Sequence, residues 1–280
     1  MRKFKFILFL IFCFSCSNED FEADENNNDQ ENNLLVKSVK ISGFEGNPNY
    51  GWNYTESFTY EGNKIEQVTT TNLNTNEVSI TNYTYTDNLI TVVNTYNQNN
   101  VLTVSTELSY DSSKRIISII SKSYYNNKEE IWLKSDISYR TDGKVLFCSN
   151  SEGEDYGSLL SFNNDGDVSS VTYRSEDDQF QGNIEACYAD GFTGESKITY
   201  NENPYPFKNI TGFQIFGYFD SNIFSRAEIL GFNKNAIKAT HSDDTYEDNW
   251  TYDFNEFGYP RNIVWIYDED LTETIDIDYY

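Results

Sequence analysis

The sequence predicts an all-β protein, an antiparallel up-and-down meander of about eight hairpin repeats that curls into a barrel or half-barrel. Three observations predict it. The 280 residues include 22 Tyr and 20 Phe against one Met and four Pro, and Thr, Ile and Val fill much of the rest, the set that suits a pleated, half-buried surface. Several stretches alternate with a period of two: Leu102, Val104, Thr106, Leu108 and Tyr110 point one way, while Thr103, Ser105, Glu107 and Ser109 point the other. The third observation is a repeated junction in which an aromatic residue closes one strand, two to five turn residues follow, and an Ile, Val or Pro opens the next.

Residues 1–15 come first. Arg2, Lys3 and Lys5 precede an apolar run from Phe6 to Phe14, and the small Ser15 stands before Cys16. That is the layout of a cleaved secretory segment, and nine apolar residues fall short of the roughly 20 that a membrane-spanning helix needs. Residues 17–33 hold seven acids, no base and almost nothing apolar, so burial cannot offset the entropy of ordering them, and residues 16–33 are expected to be a disordered acidic tether. The folded domain is expected to run from Leu34 to Tyr280 as a single unit.

Within it the aromatic junctions fall at Tyr60, Tyr85, Tyr110, Tyr139, Phe162, Tyr200, Phe232 and Phe254. A spacing of roughly 25 residues leaves room for two strands of about eight residues and two turns, which builds a meander rather than the four-stranded blades of a propeller. Asp142-Gly143 and Asp165-Gly166 carry the residues that tolerate positive φ, and Pro260 stands where a strand begins. A sheet of sixteen strands accumulates too much twist to stay flat, so it must curl over its apolar face. The longest gaps hold insertions, and residues 217–232 are the one place where a short helix is expected.

Two cysteines lie in the domain, Cys148 and Cys187, both in apolar, strand-like surroundings. Two buried free thiols are the simpler reading. A bridge between them is the alternative in an exported protein and requires the two Cα atoms to come within about 7 Å.

The net charge is −25, and loss of residues 1–15, with three bases and no acid, takes it to −28. Such a surface repels phosphate backbones, so nucleic acid is excluded as a partner. His241 is the only histidine, and the sequence shows no serine elbow, no His-Glu-x-x-His and no phosphate loop. The expectation is therefore a protein that is not an enzyme and needs no cofactor. Glycoside hydrolysis needs only two placed carboxylates and stays open as an alternative. His241, Asp243, Asp244 and Asp248 cluster in one stretch, and residues 163–167 suggest a calcium loop. Both read more simply as solvated turns, so no metal site is expected. Trp250, Tyr252 and Phe254 read as core, as do Ile263, Trp265 and Tyr267. Trp132 differs: with Ile131, Leu133, Ile137 and Tyr139 assigned inward, it falls among Lys134, Asp136 and Ser138 on the wet face and is a candidate ligand contact.

Phe14-Ser15-Cys16 resembles a bacterial lipobox, although Cys13 stands where Leu is usual; the resemblance implies that Cys16 is lipidated and becomes the first mature residue. The acidic run after it resembles the surface-export signal of Bacteroidota lipoproteins, implying an outer-membrane, lipid-anchored location facing the cell exterior. Tyr110, Asp111 and Arg115 resemble the YD repeats of RHS-type shell proteins, with Lys114 where Gly is expected. The segment from Asn203 and the hairpin at residues 254–263 are similar to elements of uncharacterised Bacteroidota lipoproteins with a porin-like β-meander. For a lipoprotein that shows no catalytic parts, the default expectation is a non-catalytic binding module for an extracellular glycan or protein; the alternatives are a structural or assembly accessory of an envelope complex and a glycan hydrolase.

Overall fold

The computed structural model describes residues 34–43, 53–125, 128–151, 154–173, 187, 194–212, 233–242, 247–268 and 271–280. The lipobox, the tether, Phe232 and the helix expected within 217–232 lie outside these residues. Among them the chain forms sixteen strands: β1 (Val36–Gly43), β2 (Asn53–Glu61), β3 (Lys64–Asn72), β4 (Val78–Thr86), β5 (Leu89–Asn97), β6 (Leu102–Tyr110), β7 (Ile116–Tyr125), β8 (Lys128–Tyr139), β9 (Val145–Ser151), β10 (Glu154–Phe162), β11 (Val168–Tyr173), β12 (Gly194–Pro204), β13 (Lys234–His241), β14 (Glu247–Phe254), β15 (Pro260–Asp268) and β16 (Leu271–Tyr279). Each pairs with its neighbours in sequence, and β1 pairs antiparallel with β16. The sheet is therefore a closed barrel, which leaves no strand edge unpaired.

The aromatic junctions have a shared construction. Ladder register slips between Thr59 and Tyr60, Thr84 and Tyr85, Ser109 and Tyr110, Ser161 and Phe162, Thr199 and Tyr200, and Asp253 and Phe254. A bulge at the close of these strands increases twist, and the tyrosines among these residues pack against the core at the end of the barrel, while Phe162 stays exposed. There the tyrosines act as latches: Tyr60, Tyr110, Tyr200 and Tyr279 donate their hydroxyls to the carbonyls of Val36, Ile90, Val168 and Pro260 at 2.7, 2.5, 2.6 and 2.7 Å. Tyr252 bonds likewise to Ala236, and Tyr85 accepts from Ile65 N–H at 3.1 Å. Burial pushes the Tyr85 and Tyr110 phenols up to about 12.

Several turns close on one pattern. Asp111 N–H donates to Arg115 O, and Lys114 N–H returns to Asp111 O, both at 2.9 Å. The residue in the position of Lys114 has positive φ each time: Lys114, Gly143, Gly166, Gly258 and Asn100, at 63°, 83°, 86°, 79° and 58°. Lysine there carries a Cβ penalty that the three glycines avoid. The Asp111 side chain also accepts from Arg115 Nε at 2.8 Å, and that guanidinium lies over the Tyr139 ring at 4.2 Å, so the Tyr-Asp-Arg signature works as a turn lock.

Sixteen strands enclose more space than their own inward side chains fill. The segment after β12 fills one end. The sequence reads Tyr200 to Ile210 as a tight hairpin, but β12 continues to Pro204, and Tyr205, Phe207 and Ile210 turn into the core instead. Phe207 packs on Phe58 with centroids 5.8 Å apart and on Tyr205 at 5.7 Å. Thr211 N–H donates to Asn63 O, and Asn209 Nδ2 donates to Leu34 O and Tyr259 Oη. The plug is thus tied to the β2–β3 turn, the start of β1 and the β14–β15 turn. Tyr280 N–H donates to Leu35 O, which sets both ends of the described domain at the plugged end.

Cys148 and Cys187 form a disulfide. Cys148 alternates with inward Phe147, so with Leu146 and Leu159 it makes a small apolar cluster on the outer wall that Cys187 covers. Elsewhere the outer wall carries charges among a few exposed apolar residues such as Ile117 and Ile237: Asp276 and Asp278 are exposed while Ile275 and Ile277 are buried. Lys122 bridges Glu107 and Glu129 at 3.6 and 3.2 Å, and Lys238 meets Glu247 at 2.6 Å.

Candidate functional site

At the end opposite the plug, the inward faces of the same strands change chemistry. One or two positions beyond the buried aliphatic residues, the register sets polar side chains opposite one another. Thr81 faces Thr95, Thr106 faces Ser121, and Ser135 faces Ser149, with oxygens 3.0, 2.8 and 2.7 Å apart. Thr70 donates to Glu56 at 3.2 Å across β2 and β3. Each lies on the face of a buried neighbour, Tyr83, Val93, Leu108, Ile119, Ile137, Phe147, Phe58 or Val68, so the pairs form a belt on the inner wall. Hydroxyls matched across strands satisfy each other without water, which lets the wall be polar at low cost.

The belt is most elaborate across β12, β13, β14 and β15. Ser196 Oγ lies 2.7 Å from His241 Nδ1, and His241 Nε2 lies 2.9 Å from Asp248 Oδ2. Asp248 Oδ1 accepts from Trp265 Nε1 at 3.1 Å. A carboxylate on Nε2 holds the proton there and leaves Nδ1 as the acceptor for the serine hydroxyl. Trp265 stacks on Trp250 with centroids 6.4 Å apart. On the other side, the Tyr173 ring lies against the backbone of Gly194, where a Cβ would meet ring carbon Cε2 at 2.3 Å; only glycine allows that approach. Glu273 is buried opposite Trp265.

A cleft of about 410 Å³ opens at the same end, lined by Thr70, Asn72, Ser79, Asn97, Gln98 and Thr103 among others. Asn72 and Asn97 also hold their turns by accepting backbone N–H bonds. The arrangement offers hydroxyls, amides, carboxylates and indole rings to a polyhydroxylated ligand.

The residues singled out by sequence fare unequally. Cys16 lies outside the described residues. Cys148 and Cys187 are joined, where free thiols are the simpler reading of the sequence. Trp132 is half-buried, and its Nε1 is shielded with no hydrogen-bond acceptor. Register explains why the face assignment fails at its neighbour: Ser121 pairs with Leu133 and Lys122 with Ile131, so Trp132 is an extra residue in a bulge and Ile131 turns outward, 59% exposed. His241 and Asp248 do come together, but with each other and Ser196. Among the described residues no group of three His, Cys, Asp or Glu side chains could hold a metal ion. In the 163–167 turn, Asn163 Oδ1 accepts from Asp165 and Asp167 N–H, Asp165 meets Lys234 Nζ at 2.9 Å, and Asp167 accepts from Asn233 N–H.

No protein-family model matches the chain, and no curated protein matches it. Among solved structures the chain is similar to a porin-like protein from Bacteroides uniformis, with 11% identity, a TM-score of 0.41, and coverage of 88% of this chain and 98% of that one. It is likewise similar to a porin-like protein from Bacteroides vulgatus, with 11% identity, a TM-score of 0.47, and coverage of 88% and 99%.

Proposed function

We propose that the protein is lipid-anchored at Cys16 on the outer membrane or cell surface and that its barrel binds an extracellular glycan at the polar end. One observation carries this reading: the chain enters the barrel at Leu34, at the plugged end, opposite the belt and the cleft. An anchor at Cys16 and a tether to residue 33 would hold the plugged end toward the membrane and turn the polar end outward. The charged outer wall supports anchoring over spanning, because a lysine facing lipid near the bilayer midplane costs about 2–4 kcal/mol, with aspartate and glutamate adding smaller costs. The hydroxyl and amide side chains that line the cleft suit sugar hydroxyls. The inward carboxylates Glu56, Asp248 and Glu273 favour a neutral glycan over an acidic one.

Expressed without residues 1–33, the domain should stay in solution without detergent and bind a neutral oligosaccharide in a calorimetric panel. Ser79→Trp should fill the cleft and abolish binding while Tm holds. Binding that survives Ser79→Trp would remove the cleft from the site, and a strict detergent requirement would overturn the anchored topology. Trp132 is kept as a contact on the same terms: Trp132→Ala should weaken binding at unchanged Tm, whereas a fall of several degrees with binding intact makes it core. An accessory role is supported by two exposed apolar residues of the β7–β8 hairpin, Tyr125 and Ile131, at 77% and 59%.

A further inference from the structure

The belt repeats one task in successive hairpins, and one hairpin departs from it. In β4–β5, β6–β7 and β8–β9 two hydroxyls suffice to satisfy the inner wall. At the matching place in β12–β13 the pair is Ser196 and His241, held in register opposite each other, with Asp248 from β14 behind the imidazole and Trp265 from β15 behind the carboxylate. Satisfying a serine hydroxyl does not require that chain, as the other three hairpins demonstrate.

We propose that Ser196 is a nucleophile activated by His241, and that this station of the barrel hydrolyses carboxylic esters. The geometry supplies the parts that such chemistry needs: a hydroxyl 2.7 Å from an imidazole nitrogen, a tautomer fixed so that this nitrogen bears the lone pair, and a carboxylate placed to stabilise the imidazolium. Asp248 is a positioning residue, and Trp265 fixes its rotation by occupying Oδ1. The side chains of His241 and Asp248 keep only 15% and 13% of their surface exposed, so their charges are poorly screened, while Ser196 is only partly buried.

The step balances without any other reactant than water. Ser196 Oγ bonds to the carbonyl carbon of the ester as its proton passes to His241 Nδ1. The bond from carbon to the leaving oxygen breaks, and the alcohol departs with that proton, leaving an acyl ester on Ser196. Water then attacks the acyl carbon, giving its proton to Nδ1, and the carboxylic acid leaves as Ser196 recovers its hydrogen. This goes beyond glycan binding and does not depend on it, since Ser79→Trp tests the cleft and leaves Ser196 in place.

The test treats the whole mature protein with a fluorophosphonate and with p-nitrophenyl acetate. A phosphonyl adduct should map by mass spectrometry to Ser196, and Ser196→Ala, at unchanged Tm, should lose it. Ester turnover should fall about a hundredfold or more in Ser196→Ala and in His241→Gln, the scale of a lost general base. Asp248→Asn should lower kcat with KM unchanged, which a purely structural role would not do. Folded wild-type protein that forms no adduct and hydrolyses the ester no faster than Ser196→Ala overturns the proposal.

Discussion

The two ends of the barrel are made by the same strands and differ in what those strands present inward. At the plugged end Tyr60, Tyr110, Tyr200 and Tyr279 latch onto backbone carbonyls around Phe58, Phe207 and Ile210. At the other end the inward positions are Thr, Ser, Glu, His and Asp, paired across strands. The difference shows how one repeat gathers apolar burial at one end and paired polar groups at the other. Burial and latches close the end where the described domain starts and finishes, so the far end can carry polar groups whose net contribution to folding is small.

The largest expected effect breaks the plugged end. Phe207→Ala should cost about 3–5 kcal/mol, because its ring is wholly buried against Phe58 and Tyr205. Thermal unfolding should then occur roughly 10 °C lower, whereas Ser79→Trp at the polar end should leave Tm in place. Equal losses at both ends would dissolve the comparison.

Alkaline titration addresses the latches together. The folded Tyr85 and Tyr110 phenols are pushed up to about 12 from the ordinary phenol value of 10.0, first by burial. The folded state therefore holds these protons more tightly than the unfolded chain. Their contribution is whole below pH 10 and declines as pH rises from there toward 12. Denaturant midpoints measured across that window should fall, and Tyr110→Phe should fall less steeply than wild type.

A smaller change probes the belt. Thr106→Val leaves the Ser121 hydroxyl, 3% exposed, without its partner and should cost about 1–3 kcal/mol. Adding Ser121→Ala should recover most of that loss, since two apolar groups need no bond. If the double variant is as unstable as the single one, the pair is not an isolated hydrogen bond and the belt is coupled round the wall. The smallest effect is a gain: Lys114→Gly relieves a positive φ of 63° and should stabilise by about 0.5–1 kcal/mol. A loss on chemical denaturation would mean that Lys114 contributes through its side chain.

Much of the architecture is legible in local chemistry. Asp142-Gly143 and Asp165-Gly166 mark real turns with positive φ at glycine, and the β6 alternation holds across Val104 to Leu108, although Ser105 on the outer face is buried and the register slips before Tyr110. The belt itself is half-legible there, since Thr106 interrupts an otherwise apolar face. Bulges defeat the same reasoning, because one inserted residue inverts every side chain beyond it, as at Trp132 and Ile131. The plug escapes it too, since the Pro204 to Ile210 segment has turn composition but apolar side chains that find the core only when the barrel closes around them.

By itself, the sequence determined the all-β class, the hairpin repeat, the turn chemistry and the inward alternation, because these depend on backbone preference and side-chain period within a dozen residues. Only the tertiary structure decided that the sixteen strands close, that Cys148 reaches Cys187, and that Ser196, His241, Asp248 and Trp265 meet on one wall. Those contacts include pairs 39, 45 and 240 positions apart. Register transmits them strand by strand around the barrel, and register depends on every bulge along the way.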